Sequence, residues 1–116
     1  MFHPRALCLL SLIVSVPAAA TQLSCTGTDP NWRAAIDGKT ASFQLRDRAG
    51  DYKIELTTPA LNDPDTTAYT FIGTTDTAIL IVSRARCNTV DHTAQILTQE
   101  RSEAILLTGC CRVLSE

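Results

Sequence analysis

Apolar and polar residues alternate along short segments of this chain, and a turn signal ends each segment. In one segment Trp32, Ala34 and Ile36 share a face, and the Asp37-Gly38 pair that follows is typical of a tight hairpin. A period of two places successive side chains on opposite faces of a strand. The pattern therefore predicts a series of short antiparallel strands.

Seven or eight strands follow from this pattern, and no segment has the periodicity of a helix. Short strands joined by tight turns pair mostly in sequence order, and closing or doubling the sheet removes exposed edges. We therefore predict an all-β fold, a small antiparallel up-and-down barrel or a sandwich. The predicted strands are residues 32–37, 40–46, 52–56, 67–72, 78–83, 93–97 and 103–108, with 110–113 as a continuation of the last strand or as an eighth.

The apolar faces of these strands form the predicted interior of the barrel or sandwich. Their side chains either fill this interior completely or leave a pocket in it. A shift of one residue in register would move a strand's whole set of side chains to the other face. The predicted interior residues are Ala34, Ile36, Phe43, Leu45, Ile54, Leu56, Phe71, Ile79, Ile81, Ile96, Ile105 and Leu107.

Residues 1–20 resemble a cleaved signal peptide. Arg5 precedes an apolar run, and the small residues that end at Ala20 suit a signal peptidase. We expect a single β domain at residues 21–116 and a periplasmic location. No later segment is apolar enough to span a membrane, so no transmembrane segment is expected in the mature chain. A lipid anchor is not expected either, because Gln22 stands where a lipoprotein signal has an aliphatic residue.

Charge and composition narrow the range of partners. Loss of Arg5 leaves nine basic residues against twelve acidic ones, a net charge of −3 for residues 21–116. The basic residues form no stripe that could follow a phosphate backbone, and the aromatic residues are few and scattered, so we expect no nucleic-acid partner. No metal-ligand spacing or cofactor motif occurs, and we expect neither a metal nor a cofactor.

Four cysteines remain after Cys8 is removed with the signal peptide, and they predict two disulfides in an exported chain. Cys110 and Cys111 are adjacent, so on a strand they point to opposite faces and are poorly placed to share one metal ion. If no bond joins Cys25 to Cys87, each of them bonds one of this adjacent pair, in an order that the sequence leaves open. The alternative is a thiol redox protein that uses Cys110 and Cys111, which predicts free thiols.

The stretch from Cys25 to Trp32 holds the first candidate binding residues. Trp32 fits a core aromatic that covers one end of the barrel beside a disulfide, and its alternative role is a ligand platform. Pro30 fixes the turn before it. Asp29 caps that turn or contributes to binding.

Asp91 and His92 are the residues from which an enzyme could be argued. A hydrolase would need a nucleophile held by His92, but no Gly-x-Ser-x-Gly turn or comparable setting occurs in the sequence. The enzyme hypothesis requires the Asp91-His92 pair to lie in a pocket. The simpler expectation is a solvent-exposed histidine.

The chain resembles a family of small exported bacterial proteins of uncharacterised function. Members open with Cys-x-Gly-x-Glu-Pro-Phe-Trp, continue with Ile-Asp-Gly, carry a second cysteine before Asp-Gly-Met-Ser-Asp, and close with Gly-Cys. The resemblance implies an envelope location and a β fold, and it implies no activity. The residues that match are Cys25, Gly27, Pro30, Trp32, Ile36, Asp37, Gly38, Gly109 and Cys110.

The chain departs from the family pattern at several positions. Asp29 replaces the usual Glu, and Asn31 replaces the usual Phe. After Cys87 the Gly-Met-Ser segment is missing, although an acid is kept at Asp91. Asp91 is therefore a candidate binding residue, and a family site in this segment would be altered here.

These observations favour a non-catalytic, exported binding or inhibitor module. In size, compartment and disulfide-linked β architecture the chain is distantly similar to the bacterial inhibitors of c-type lysozyme, an analogy at the level of fold. The Ser-Gly-x-Arg-Tyr type of loop found in those inhibitors is missing. An enzyme that uses Asp91 and His92, and a redox protein that uses Cys110 and Cys111, are the alternatives.

Overall fold

Eight strands form the protein in a computed structural model that describes residues 20–115. The predicted signal peptide, except for Ala20, lies outside the described residues. The strands are β1 (Gln22–Gly27), β2 (Trp32–Asp37), β3 (Thr40–Leu45), β4 (Arg48–Pro59), β5 (Thr66–Ile72), β6 (Thr77–Ser83), β7 (His92–Glu100) and β8 (Glu103–Ser115).

Each strand pairs antiparallel with the next, and β8 pairs with β1 to close the sheet into a barrel. The predicted all-β, up-and-down barrel is confirmed, and the sandwich alternative is wrong. Closure is favoured because every strand of a closed sheet has hydrogen-bonding neighbours on both sides, so that no edge is exposed. None of the described residues forms a helix long and apolar enough to cross a membrane.

The two ends of the barrel are built differently. At the closed end, short turns join the strands at residues 28–31, 46–47, 73–76 and 101–102. Arg101 and Ser102 both have positive φ, as a two-residue hairpin turn requires. At the open end lie the β2–β3 turn, the longer loops 60–65 and 84–91, and the outer ends of β1 and β8.

The sequence analysis missed β1. Its six residues carry one large apolar side chain, Leu23, and too little alternation to identify a strand. Leu23 and Cys25 nevertheless face the core. Residues 110–113 continue β8, so the eighth strand is β1 and does not come from the end of the chain.

The limits of β4 also differ from the prediction. The turn before it occupies residues 46–47, where Arg46 has a φ of 55°, and the strand extends to Pro59. Residues 57–59, which follow the predicted strand 52–56, therefore pair with β5, with Thr57 opposite Tyr69 and Pro59 opposite Thr67. Pro59 is tolerated because it ends the strand.

Most of the predicted interior is confirmed. Seven of the residues are buried, and Ile54 and Ile105 are partly buried and pack against the core. The buried ones among the predicted residues are Ala34, Ile36, Phe43, Leu45, Phe71, Ile96 and Leu107.

Three predicted interior residues were assigned to the wrong face. In β6 the core residues are Ala78, Leu80 and Val82, so Ile79 and Ile81 point outward. Both faces of this strand are apolar, so the alternation of apolar and polar residues cannot show which face is buried. Pairing with β5 decides the register instead. Leu56 is 61% exposed because a β-bulge after Ile54 inserts one extra residue.

Trp32 fills the closed end of the barrel. Its side chain is 3% exposed, and its indole N–H donates a hydrogen bond of 3.0 Å to the backbone carbonyl of Thr108 on β8. The ring meets Phe43 edge-on at 6.4 Å between centroids. Gly27 and Gly109 lie beside the ring, which leaves room for it to reach from β2 to β8. Trp32 has the core position expected for it.

Two disulfides connect the four cysteines. Cys25–Cys111 joins β1 to β8 in the interior, where both residues are 0% exposed. Cys87–Cys110 ties the loop 84–91 to the outer face of β8. The prediction that Cys110 and Cys111 point to opposite faces is confirmed, and the open question of their partners is resolved.

An exposed ion network connects the turns of the closed end. Arg46 pairs with Glu100 at 2.9 Å, and Arg48 lies 3.2 Å from Asp76 and 3.8 Å from Glu100. Exposed pairs of this kind contribute at most about 1 kcal/mol each. Below them, burial raises the pKa of Tyr52, and the nearby Asp76 carboxylate adds to the effect.

Substitution of the glycines beside Trp32 tests the packing of the closed end. A Cβ on Gly27 would collide with Nε1 of Trp32 and with the Thr108 carbonyl oxygen, and one on Gly109 would collide with the Thr26 carbonyl oxygen and approach Cζ2 of Trp32 to 2.8 Å. We expect Gly27→Ala to lower the free energy of unfolding by about 3 kcal/mol in urea titrations, the upper range for overpacking. Gly50→Ala is the matched control, because its Cβ would meet Tyr52 at 3.0 to 3.2 Å and should cost less. Equal midpoints for wild type and Gly27→Ala would contradict this packing.

The disulfide pairing predicts which double variants keep a bond. Cys25→Ala/Cys111→Ala leaves Cys87 and Cys110, which should remain oxidised. Cys25→Ala/Cys110→Ala leaves Cys87 in the loop 84–91 outside the barrel and Cys111 in its interior. This variant should therefore give two free thiols on alkylation without reduction, counted by mass spectrometry. Blocked thiols in the second variant would exclude the observed pairing.

The two bonds should also differ in their effect on stability. They span 86 and 23 residues. The chain-entropy model then gives about 4.6 and about 3.4 kcal/mol for Cys25–Cys111 and Cys87–Cys110. Urea titrations of the two matched double variants should therefore show the larger loss for Cys25→Ala/Cys111→Ala, and the reverse order would contradict the model.

Candidate functional site

A cavity of about 600 Å³ occupies the open end of the barrel. Strands β1, β5, β6, β7 and β8 contribute inward-facing residues to it, and loop residues form its rim. The lining consists of Thr21, Leu23, Pro64, Asp65, Thr67, Tyr69, Val82, Arg84, His92 and Val113.

The cavity exists because side chains of different size face inward at the two ends. At the closed end Trp32, Phe43 and Leu45 fill the interior, and a space of about 20 Å³ bordered by Leu45 and Tyr52 could hold little more than one water molecule. At the open end the inward positions carry smaller residues, among them Thr67 and Val82. The barrel is therefore filled by side chains at one end and open to solvent at the other.

Three apolar side chains form the floor of a cavity whose exposed lining is mostly polar. Leu23 and Val82 are buried and face the cavity from β1 and β6, and the partly exposed Val113 faces it from β8. Asp65 and Arg84 are exposed at the rim. Such a gradient suits a ligand with an apolar part and a polar group.

His92 faces this cavity. It is the first residue of β7 and has the same inward direction as Ala94 and Ile96, which are buried deeper in the barrel. Its side chain is half-buried and lines the cavity, unlike the solvent-exposed histidine expected from the sequence. The difference arises because β7 begins at residue 92, one residue before its predicted start.

Hydrogen bonds hold the rim in place. Asp63 accepts hydrogen bonds from the Thr66 hydroxyl at 2.6 Å and from the Asp65 backbone N–H at 2.9 Å, and these bonds lower the pKa of its carboxyl group. The Arg84 N–H donates to the Asp65 carbonyl at 2.9 Å, and the hydroxyls of Thr66 and Ser83 are 2.9 Å apart. The loop 60–65 is thereby fixed to the end of β6.

The structure does not bring the candidate binding residues of the sequence together. Trp32 and Asp29 belong to the closed end, where Asp29 is exposed in the 28–31 turn with a φ of 58°. Asp91 lies at the open end, but it is exposed and does not line the cavity. The Asp91-His92 pair is thus divided between the outer surface and the cavity.

The sequence analysis missed most of the cavity residues. Thr21, Tyr69 and Arg84 lie far apart in the chain, and none belongs to a motif. They could have been found from their positions, since each faces inward or lies at a strand terminus toward the open end of the barrel. Finding them requires the register of β1 and β6, which the alternation of apolar and polar residues did not provide.

The cysteines form no reactive pair in this structure. Cys110 bonds Cys87 and Cys111 bonds Cys25, so the free thiols that the redox hypothesis predicts are not seen. Among residues 20–115 no group of three or more His, Cys, Asp or Glu side chains could hold a metal ion.

Comparisons with protein-family models, with curated proteins and with solved structures find no match. The resemblance to the exported family, and the likeness to inhibitors of c-type lysozyme, therefore stay predictions. Any functional conclusion rests on the geometry of the barrel itself.

Proposed function

We propose that this chain is an exported, non-catalytic binding protein whose ligand enters the open end of the barrel. The cavity of about 600 Å³, set opposite an end that Trp32 closes, is the observation that carries this proposal. Its volume falls within the roughly 300 to 1,000 Å³ that is usual for small-molecule sites.

The lining indicates the kind of ligand. Leu23, Val82 and Val113 would contact an apolar segment, and removing such a segment from water drives binding. Thr67, which lies opposite Val82 in the pairing of β5 with β6, would offer a hydroxyl for a hydrogen bond to a polar group of the ligand. A small amphiphilic molecule fits both requirements.

The surroundings of His92 support a binding role over a catalytic one. A general base is normally oriented by a hydrogen bond to a second group. No hydrogen bond from the His92 ring is found within residues 20–115, and Asp91 is exposed and does not line the cavity. His92 is therefore placed as a polar contact in the wall.

The two disulfides support an exported location. Stable disulfides form in oxidising compartments such as the periplasm, and Cys25–Cys111 is fully buried. This agrees with the signal peptide predicted for residues 1–20.

A protein ligand is a separate version of the binding role. The likeness to inhibitors of c-type lysozyme makes that enzyme the specific protein to examine. A lysozyme activity assay tests it, and unchanged activity with the protein at micromolar concentration would exclude it.

Nuclear magnetic resonance titration with 1-octanol, a neutral amphiphile, tests the cavity as a ligand site. We expect chemical-shift changes at Leu23, Val82 and His92 and none at Trp32, because the ligand would occupy the open end. Val82→Phe should reduce the affinity at least about tenfold by filling the cavity, which corresponds to a loss of about 1.4 kcal/mol.

Ala35→Phe is the matched control for this experiment. It adds an aromatic ring to an exposed position on the outer face of β2, away from the cavity. The control should bind 1-octanol as the wild type does. Shift changes spread over the outer surface, or equal binding by Val82→Phe, would contradict the proposed site.

A further inference from the structure

Thr21 is part of the cavity, although it precedes the first strand. It lines the open end together with Arg84 and His92. Its carbonyl accepts a hydrogen bond of 2.9 Å from the Gly38 N–H. This contact does not involve Ala20, and it holds Thr21 at the entrance after the leader is removed.

The same residue is the expected first residue of the mature protein. Signal peptidase would hydrolyse the Ala20–Thr21 peptide bond, adding one water molecule. The released leader keeps the new carboxylate, and Thr21 keeps the new α-amino group. This group is mostly protonated near neutral pH, because its ordinary pKa is about 7.7 to 8.0.

We propose that cleavage completes an anion-binding site, in which the Thr21 α-ammonium acts together with Arg84 and His92 on a ligand carboxylate or phosphate. The inference rests on the proposed binding function and adds the chemical class of the ligand. It also makes removal of the leader a condition for full affinity.

The dimensions of the cavity allow these groups to act together. A sphere of the observed volume is about 10 Å across, so charges on its wall lie within about one Debye length of a bound ligand. Asp65 is the acidic residue in the lining, and its negative charge offsets one of the two positive charges carried by Arg84 and the new ammonium. The cavity therefore gains a net positive charge on cleavage, in a chain whose residues 21–116 carry a net charge of −3.

The ligand class follows from this charge and from the apolar floor. An anionic head group at the rim would meet Arg84 and the ammonium, while an apolar tail would reach Leu23 and Val82. Octanoate has this form, and 1-octanol is its neutral counterpart with the same chain length. The ratio of their affinities isolates the contribution of charge.

The test compares three forms of the protein by nuclear magnetic resonance titration with both probes. The first form begins at Thr21, the second begins at Thr21 with an acetylated α-amino group, and the third retains Ala20. Selective acetylation is practical because the α-amino group has a lower pKa than lysine side chains. Mass spectrometry of the exported protein establishes independently whether its first residue is Thr21.

We expect acetylation to weaken octanoate binding about three- to fourfold, the effect of one charge at about 5 to 6 Å in water. Binding of 1-octanol should not change. Arg84→Gln should weaken octanoate binding similarly. Lys39→Gln is the matched control, since it removes a positive charge from the open end at a residue that does not line the cavity, and it should leave the affinity ratio unchanged.

The outcomes separate this inference from the proposed function. If all three forms bind 1-octanol and octanoate with the same ratio, the cavity is a binding site but the ammonium plays no part, and the inference is wrong. If no form binds either probe, the proposed function fails, and the inference fails with it. An exported protein that begins at another residue would also overturn the inference.

Discussion

Pairing of the first strand with the last is the constraint on which the rest of this structure depends. Cys25–Cys111 joins β1 to β8 inside the barrel, and the Trp32 indole crosses from β2 to donate a hydrogen bond to Thr108 on β8. Gly27 and Gly109 permit this crossing because neither has a Cβ that would meet the ring. Without this pairing β1 and β8 would be exposed edges, and the interior would have no continuous wall.

The site at the open end is a consequence of how the closed end is packed. Aromatic and leucine side chains concentrate at one end, so the smaller inward residues at the other leave a cavity that the same strands enclose. Rigid strands hold Leu23, Val82 and His92 in fixed positions, and the bonded loop 60–65 forms part of the rim. The binding proposed for this cavity would require little reorganisation of the protein, which favours affinity.

The sequence predicted the fold better than the site, for a physical reason. Trp32, Ala34 and Ile36 alternate clearly with exposed neighbours, so the faces of β2 could be assigned from the sequence alone. The six residues of β1 are mostly small and polar, and β6 is apolar on both faces, so neighbouring strands decide their placement. Both of these strands line the cavity together with β5, β7 and β8, and its residues come from distant parts of the chain that only the closed barrel brings together.

Amide hydrogen exchange of the protein beginning at Thr21 would test the central claim, that β1 and β8 close the barrel, most directly. A paired strand exchanges its amide protons only when the whole domain unfolds, whereas an edge strand exchanges them through local opening. The account predicts that amides of Cys25 on β1 and Cys111 on β8 exchange as slowly as that of Leu80 on β6. Fast exchange along both β1 and β8, with β2 to β7 protected, would contradict closure and with it the cavity.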